Sequence, residues 1–235
     1  MNAPPLEFAT KETRFRLAAG ELTCEMKVHL STVEAARAVV ESTLRAWEVD
    51  ADLRWGRDEL RFKFEGADII DRSPVSPAGE INGTAFVVCG AAVVTATGSV
   101  SVHVTRGHYP DPPPSAFRLT PDAQSLLDRY NRYLDGGEPL LDMAYFCLTV
   151  LEVQADGRSH AAAEYRIDQK VLSTIGTLTS KHGDRFSARK ASAKFLLTGS
   201  QCAWLEAAVR YLIWQVGTTP RAARSQVAMS SLPAI

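Results

Sequence analysis

The sequence predicts an α+β fold, in which a mostly antiparallel sheet with one packed helix (order β-α-β-β-β) is followed by an all-helical bundle. Before the proline-rich segment 106–115, apolar and polar residues alternate, as in strands with one buried face. After that segment, apolar residues recur at helical spacing. The charge changes as well, since residues 1–150 hold 15 Lys and Arg against 21 Asp and Glu, and residues 151–235 hold 11 against 6.

These changes along the chain predict its domain organisation. We expect an acidic α+β domain at 1–107, a proline-rich connection at 108–119 and a helical domain at 120–217, which is net basic from residue 151 onward. Residues 218–235 are small, polar and aperiodic, and this composition predicts a flexible tail. A chain of 235 residues is long enough to bury a core without a metal or disulfide staple.

The acidic half carries the predicted sheet. Strict alternation predicts a strand at 21–30, and Ser31 with Glu34 forms a capping-box pattern for a helix that ends near Asp50. Further strands are predicted at 60–65, with a continuation at 67–70, and at 84–94 and 98–105. The short connection 95–98 predicts a hairpin between the last two, and 14–17 is a possible extra strand.

The basic half carries three clear helix signals. Thr120 is a good N-cap with Pro121 at the first helical position, and this helix is expected to end near Leu134. The segment 139–155 is apolar nearly all round, which predicts a helix at the centre of the domain. Thr198 and Gln201 form a capping-box pattern at the start of the last helix, for which Gly217 is a stop signal.

The segment 159–176 resembles a helix-turn-helix unit. The pattern predicts a short helix at 161–165, a turn at 166–167 and a second helix capped by Asp168. Ala162 lies where two helices must approach closely, and Ile167, Leu172 and Ile175 would lock them together. Such a unit places its second helix in a nucleic-acid groove.

Polar and basic side chains in and around this unit are the candidate nucleic-acid contacts. Basic groups neutralise phosphates, and the exposed positions of the second helix could face a groove, namely Gln169, Lys170, Ser173 and Thr174. Against this interpretation, Arg166 occupies the turn position that usually holds Gly, and Asp168 puts a negative charge near the tip of the second helix. An ordinary helical hairpin with a solvated basic face remains the alternative. The candidates are Arg158, Arg166, Gln169, Lys170, Lys181, Arg185, Arg189 and Lys190.

Catalytic and metal signals are sparse. No phosphate-binding loop, dinucleotide fingerprint, nucleophile elbow or zinc-protease motif occurs in the sequence. His103, His108 and Asp111 are the candidate acid–base groups of an enzyme with a site at the junction of the two halves, although surface histidines explain them as well. The four cysteines are far apart and lie in apolar runs, so we expect reduced thiols, no metal site and no cofactor.

The sequence also bears on partners and location. The N-terminus lacks an apolar signal core, and the most apolar stretch is too short to span a bilayer. We therefore expect a soluble, cytoplasmic protein with no membrane partner. Trp204, Tyr211 and Trp214 broaden the apolar face of the last helix, so the protein could pair with another protein or with itself there.

Three functions follow from these patterns, in descending order of preference. The first is a non-catalytic binding module that uses the helix-turn-helix-like segment for nucleic acid or for regulation. The second is an assembly protein that associates through the last helix. The third is an enzyme with the acid–base groups named above.

Overall fold

The computed structural model describes residues 3–28, 30, 32–71, 92–101, 108–182 and 196–235. The chain forms two compact units, Met1–Ser115 and Ala116–Ile235. The boundary between them lies within the predicted proline-rich connection. The α+β class with a helical C-terminal part is confirmed.

The N-terminal unit contains a five-stranded antiparallel sheet and one long helix. The strands are β1 (Leu6–Ala9), β2 (Thr13–Ala18), β3 (Glu21–Met26), β4 (Arg61–Asp71) and β5 (Ala92–Ser101), in the spatial order β1-β2-β3-β5-β4. The helix α1 (Val33–Trp55) connects β3 to β4. Because β5 pairs with both β3 and β4, the chain passes from the middle of the sheet to its edge and then returns.

The core of this unit forms where the alternating strand residues meet α1. Phe15, Leu17 and Leu22 are almost fully buried, together with Trp47 of α1. The Trp47 indole donates a hydrogen bond to the carbonyl of Pro110 (3.1 Å). The first residues of the predicted connection are therefore part of the N-terminal core and do not form a free linker.

Several predicted boundaries in this half need correction. The predicted hairpin at 95–98 is wrong, because β5 runs without interruption through Gly98, which pairs with Leu22 on one side and Phe64 on the other. Pairing with β3 and β4 satisfies the backbone N–H and C=O groups of β5 on both of its edges, and a turn at 95–98 would break this pairing. The cap of α1 is Thr32, whose side chain accepts from the Ala35 N–H, and the helix ends at Trp55. Strand β2 confirms the possible extra strand, β1 was not predicted, and residues 84–91 and 102–105 lie outside the described ranges.

Within its described residues, the C-terminal unit contains five α-helices: α2 (Pro121–Leu134), α3 (Leu140–Gln154), α4 (Arg158–Glu164), α5 (Gln169–Lys181) and α6 (Gly199–Gly217). The predicted caps at Thr120, Asp168 and Thr198 are confirmed. As its apolar composition predicts, α3 is central and packs against the other four helices. Within the described ranges, no helix combines the length and the apolar character needed to cross a membrane.

The end of α6 is joined to the segment that precedes α2. The Arg118 N–H donates to the Gly217 carbonyl (2.7 Å), and the Thr219 N–H donates to the Ala116 carbonyl (2.8 Å). A Cβ at position 217 would lie 2.6 Å from the Phe117 ring, so only glycine fits there without a shift. The last residues of the predicted connection therefore belong to the C-terminal unit.

The segment 218–235, for which a flexible tail is predicted, has ordered structure and buried residues. The tail forms two single-turn 3₁₀ helices, Arg221–Ala223 and Met229–Ser231. Arg224, Val227 and Leu232 are buried. Its few apolar residues lack periodicity, so pattern analysis misses their burial.

Candidate nucleic-acid interface

Helices α4 and α5 form the helix-turn-helix unit that the sequence predicts. Helix α4 ends at Glu164, and Arg166 adopts the left-handed conformation with a φ of 52°. The Tyr165 N–H donates to the Ala161 carbonyl (2.9 Å), and the Ile167 N–H donates to the Ala162 carbonyl (2.9 Å). This is the Schellman helix end, in which glycine is usual at the left-handed position. An arginine there is a local conformational cost that the surroundings have to offset.

Arg166→Gly is therefore expected to stabilise the protein, by about 0.5–1 kcal/mol, because glycine adopts positive φ without a Cβ clash. Part of the gain is offset by the greater freedom of glycine in the unfolded chain. The free energy of unfolding, measured by urea denaturation, checks this. A loss of stability would show that the Arg166 side chain contributes to folding.

The two helices are locked by apolar side chains around the turn. Ile167, Leu172 and Ile175 are fully or nearly fully buried, as the sequence predicts. The fully buried alanine at the close approach is Ala161, and the predicted Ala162 is only half-buried. The interior side of the unit is thus fixed by packing, which leaves the opposite side of α5 free to face solvent.

Arg158, a predicted phosphate contact, is engaged by other parts of the fold. Its guanidinium lies against Gly176 of α5, where a Cβ would be 2.9 Å from Nη2. The Arg158 Nε also donates to the Glu152 carboxylate. Because the charge is paired and the group fills the space between α4 and α5, Arg158 acts within the fold.

The outward side of α5 carries amide, hydroxyl and ammonium groups. Gln169, Lys170, Thr177 and Lys181 are exposed, and Ser173, Thr174 and Ser180 are half-buried on the same side. The buried residues Val171, Leu172, Ile175 and Leu178 occupy the opposite side. This outward side, which we call the α5 face, contains no carboxylate along all three helical turns.

Three exposed cations lie on or beside the α5 face. Arg166, Lys170 and Lys181 are exposed, and none of them is ion-paired among the residues that the structure describes. Lys170 and Lys181 are eleven residues apart, which places them on one side of the helix about 16 Å apart along its axis. The other candidates, Arg185, Arg189 and Lys190, lie outside the described residues.

Two acidic residues at the turn are engaged by the fold. The Asp168 carboxylate accepts a hydrogen bond from the Lys170 N–H (2.9 Å) as the cap of α5. Glu164 accepts from Arg224 (3.0 Å) and Arg221 (3.3 Å). Both carboxylates therefore have partners, although the charge of Asp168 still lies at the N-terminus of α5.

Sequence analysis missed the part of the tail that holds this unit. The Val227 N–H donates to the Arg166 carbonyl (2.9 Å), and the Asp168 N–H donates to the Val227 carbonyl (2.8 Å). Arg224 is 7% exposed and donates to the carbonyls of Thr218 (2.9 Å) and Glu164 (2.6 Å). Its guanidinium also lies over the Tyr165 ring, 4.8 Å from the centroid. Two arginines within a tail rich in small residues were the only sequence signal.

The acid–base candidates form no site in the described residues. His103 lies outside them, and His108 and Asp111 are both exposed. No group of three metal-ligating side chains occurs among the residues that the structure describes. Burial raises the pKa of the Cys24 and Cys147 thiols to about 12, so both remain protonated and poorly nucleophilic.

A groove of about 620 Å³ lies between α1 and the sheet in the N-terminal unit. Leu22, Cys24 and Phe62 contribute to its apolar lining. The Glu48 carboxylate at this groove is committed, because one oxygen accepts from the Phe62 N–H (2.8 Å) and the other from Arg45 (3.1 Å). The groove is therefore open, but its Glu48 carboxylate is held by two hydrogen bonds and is not free for acid–base chemistry.

The last helix offers less exposed aromatic surface than its sequence predicts. Trp204 is fully buried, and Trp214 stacks on Phe117 with ring centroids 6.1 Å apart. Tyr211 is 40% exposed. Of the three aromatic side chains proposed for assembly, Trp204 is therefore part of the core of its own unit, and the half-buried Trp214 is partly covered by Phe117.

Comparisons with known protein families, curated proteins and solved structures find no match to this chain. The case for a function therefore depends on the geometry of the chain itself.

Proposed function

We propose that the C-terminal unit binds duplex DNA by placing α5 in the major groove. The observation that carries the proposal is the α5 face, which has amide, hydroxyl and ammonium groups but no carboxylate and belongs to a helix-turn-helix unit. In this motif the second helix enters the major groove, and its N-terminal residues contact base edges. The protein is accordingly a binding module.

The dimensions of α5 suit this role. Its 13 residues form a rod of about 20 Å, and the major groove of B-DNA is about 12 Å wide, enough to admit a helix. The corresponding groove of A-form RNA is too narrow and deep for side chains to read. These dimensions favour DNA over duplex RNA.

Electrostatics supply the affinity in this proposal. Arg166, Lys170 and Lys181 are available to neutralise phosphates, and each neutralised phosphate releases condensed counterions. Asp168 opposes phosphate binding at the helix N-terminus, so we assign phosphate contacts to the cations and not to the N-terminal amides.

A titration of the full chain against a labelled duplex of about 20 base pairs, followed by fluorescence anisotropy, tests the proposal. We expect binding at low salt that weakens steeply as salt increases, since three phosphate contacts correspond to a slope of about −2.7 in log K against log salt. A duplex RNA of the same sequence is the control and should bind more weakly. Failure to bind DNA at low salt, where phosphate attraction is strongest, would disprove the proposal.

A further inference from the structure

We propose that Gln169 and Ser173 are the base-reading residues of α5 and that they select adenine in the major groove. This inference rests on the proposed DNA binding and adds the chemical identity of the preferred site. It assigns two roles to the residues of the α5 face. The lysines contact phosphates, and the uncharged side chains contact base edges.

Gln169 is the first residue of α5, and its side chain is exposed. The cap of the helix is Asp168, whose carboxylate already accepts from the Lys170 N–H. The Gln169 amide is therefore not used for capping, and it has no hydrogen-bond partner among the described residues. N-terminal residues of a recognition helix are the ones that reach base edges.

Ser173 differs from every other hydroxyl residue of α5. Thr174, Thr177, Thr179 and Ser180 each donate a hydrogen bond to a carbonyl of the helix. Ser173 makes no such bond within this fully described helix. Its hydroxyl thus remains available both to donate and to accept.

The two side chains lie in one row on the helix surface. Residues four apart in a helix are neighbours on the same side, and their separation of about 6 Å along the axis approaches two base-pair steps. Lys170, on the adjacent row, points toward one flank of this pair. Gln169 and Ser173 therefore suit bases near the middle of the groove, and Lys170 suits a backbone phosphate.

The chemistry of the glutamine amide identifies the base. Its carbonyl accepts and its NH₂ donates, which matches the N6 donor and N7 acceptor that adenine presents in the major groove. A serine hydroxyl pairs with either kind of group and is less selective. We therefore expect Gln169 to define an adenine position and Ser173 to modulate a neighbouring one.

Selection from a library of randomised duplexes tests this, with the full-length wild type, Gln169→Ala, Ser173→Ala and the control Gln124→Ala compared. Gln124 is a half-buried glutamine of α2 whose amide donates to Asp128. We expect the wild type and Gln124→Ala to select the same adenine-containing sequence. Gln169→Ala should lose about 5- to 100-fold discrimination at that adenine and keep the salt dependence of the wild type.

The outcomes separate this inference from the proposed function. Salt-dependent binding with no preferred sequence, or a preference that Gln169→Ala leaves unchanged, overturns the base-reading role but not DNA binding. The absence of any binding at low salt removes the proposed function itself. A preference for a base other than adenine that disappears in Gln169→Ala would overturn the assignment of the base.

Discussion

Arg224→Ala is expected to destabilise the C-terminal unit by about 3 kcal/mol, since hydrogen bonds from a charged donor contribute about 1.5–3 kcal/mol each. Arg224 is buried and donates hydrogen bonds to the carbonyls of Thr218 and Glu164 and to the Glu164 carboxylate. The variant leaves these carbonyls without their donor and removes the packing on Tyr165. Urea denaturation followed by the helical circular dichroism signal measures the loss.

Arg221→Ala is the matched control for this prediction. Arg221 shares one of these partners from an exposed position, donating to the Glu164 carboxylate (3.3 Å) and to the Ala163 carbonyl (2.8 Å). An exposed ion pair contributes only about 0–1 kcal/mol, so this variant should unfold almost as the wild type does. Equal stability of Arg224→Ala and the wild type would contradict the account of how the tail holds the turn.

The double variant Lys170→Ala/Lys181→Ala is expected to weaken DNA binding by about tenfold for each lost phosphate contact at moderate salt, hence by about 100-fold in total. Both side chains are exposed and unpaired among the described residues, so their removal should leave the free energy of unfolding unchanged. Anisotropy titrations against the same labelled duplex measure the change.

Lys11→Ala is the control for loss of positive charge. Lys11 is exposed in the N-terminal unit, far along the chain from α5. We expect its removal to leave the affinity for DNA nearly unchanged. If Lys11→Ala weakened binding as much as the double variant, general charge and not the α5 face would explain the affinity.

Features that depend on neighbouring residues could be predicted from the sequence. The caps at Thr120, Asp168 and Thr198 join groups only two or three residues apart, so residue type and spacing suffice to identify them. The turn at Arg166 belongs to the same class, since its hydrogen bonds close within five residues. Local rules of this kind therefore predict the two helices and the turn at 166–167.

Features that depend on distant partners could not be predicted. Gly98 was expected in a turn, but pairing with β3 and β4, both far away in sequence, holds it in a strand. Arg158 was assigned to phosphate because its partner Glu152 and the space beside Gly176 become evident only in the folded chain. The docked tail is another such case, because Arg224 lies 60 residues from Glu164.

The residues of the candidate site also differ in how far the sequence could predict their environment. The exposure of Gln169 and Lys170 follows from helical periodicity and was predicted correctly, whereas Ser173 and Thr174, also expected to be exposed, are half-buried. Ser173 was expected to face a groove, but its free hydroxyl was not predicted, because it depends on which hydroxyls bond back to the helix. Residues 183–195, which contain the remaining basic candidates, lie outside the described ranges, so Arg185, Arg189 and Lys190 stay predictions.

The salt dependence of DNA binding, compared between the wild type and Lys170→Ala/Lys181→Ala, tests the central claim most directly. The slope of log K against log salt counts the phosphates that the protein neutralises. If α5 lies in the major groove with both lysines on phosphates, the slope of the double variant should be smaller in magnitude by about 2. Identical slopes for the two proteins would contradict the account, because the α5 lysines would then contact no phosphate.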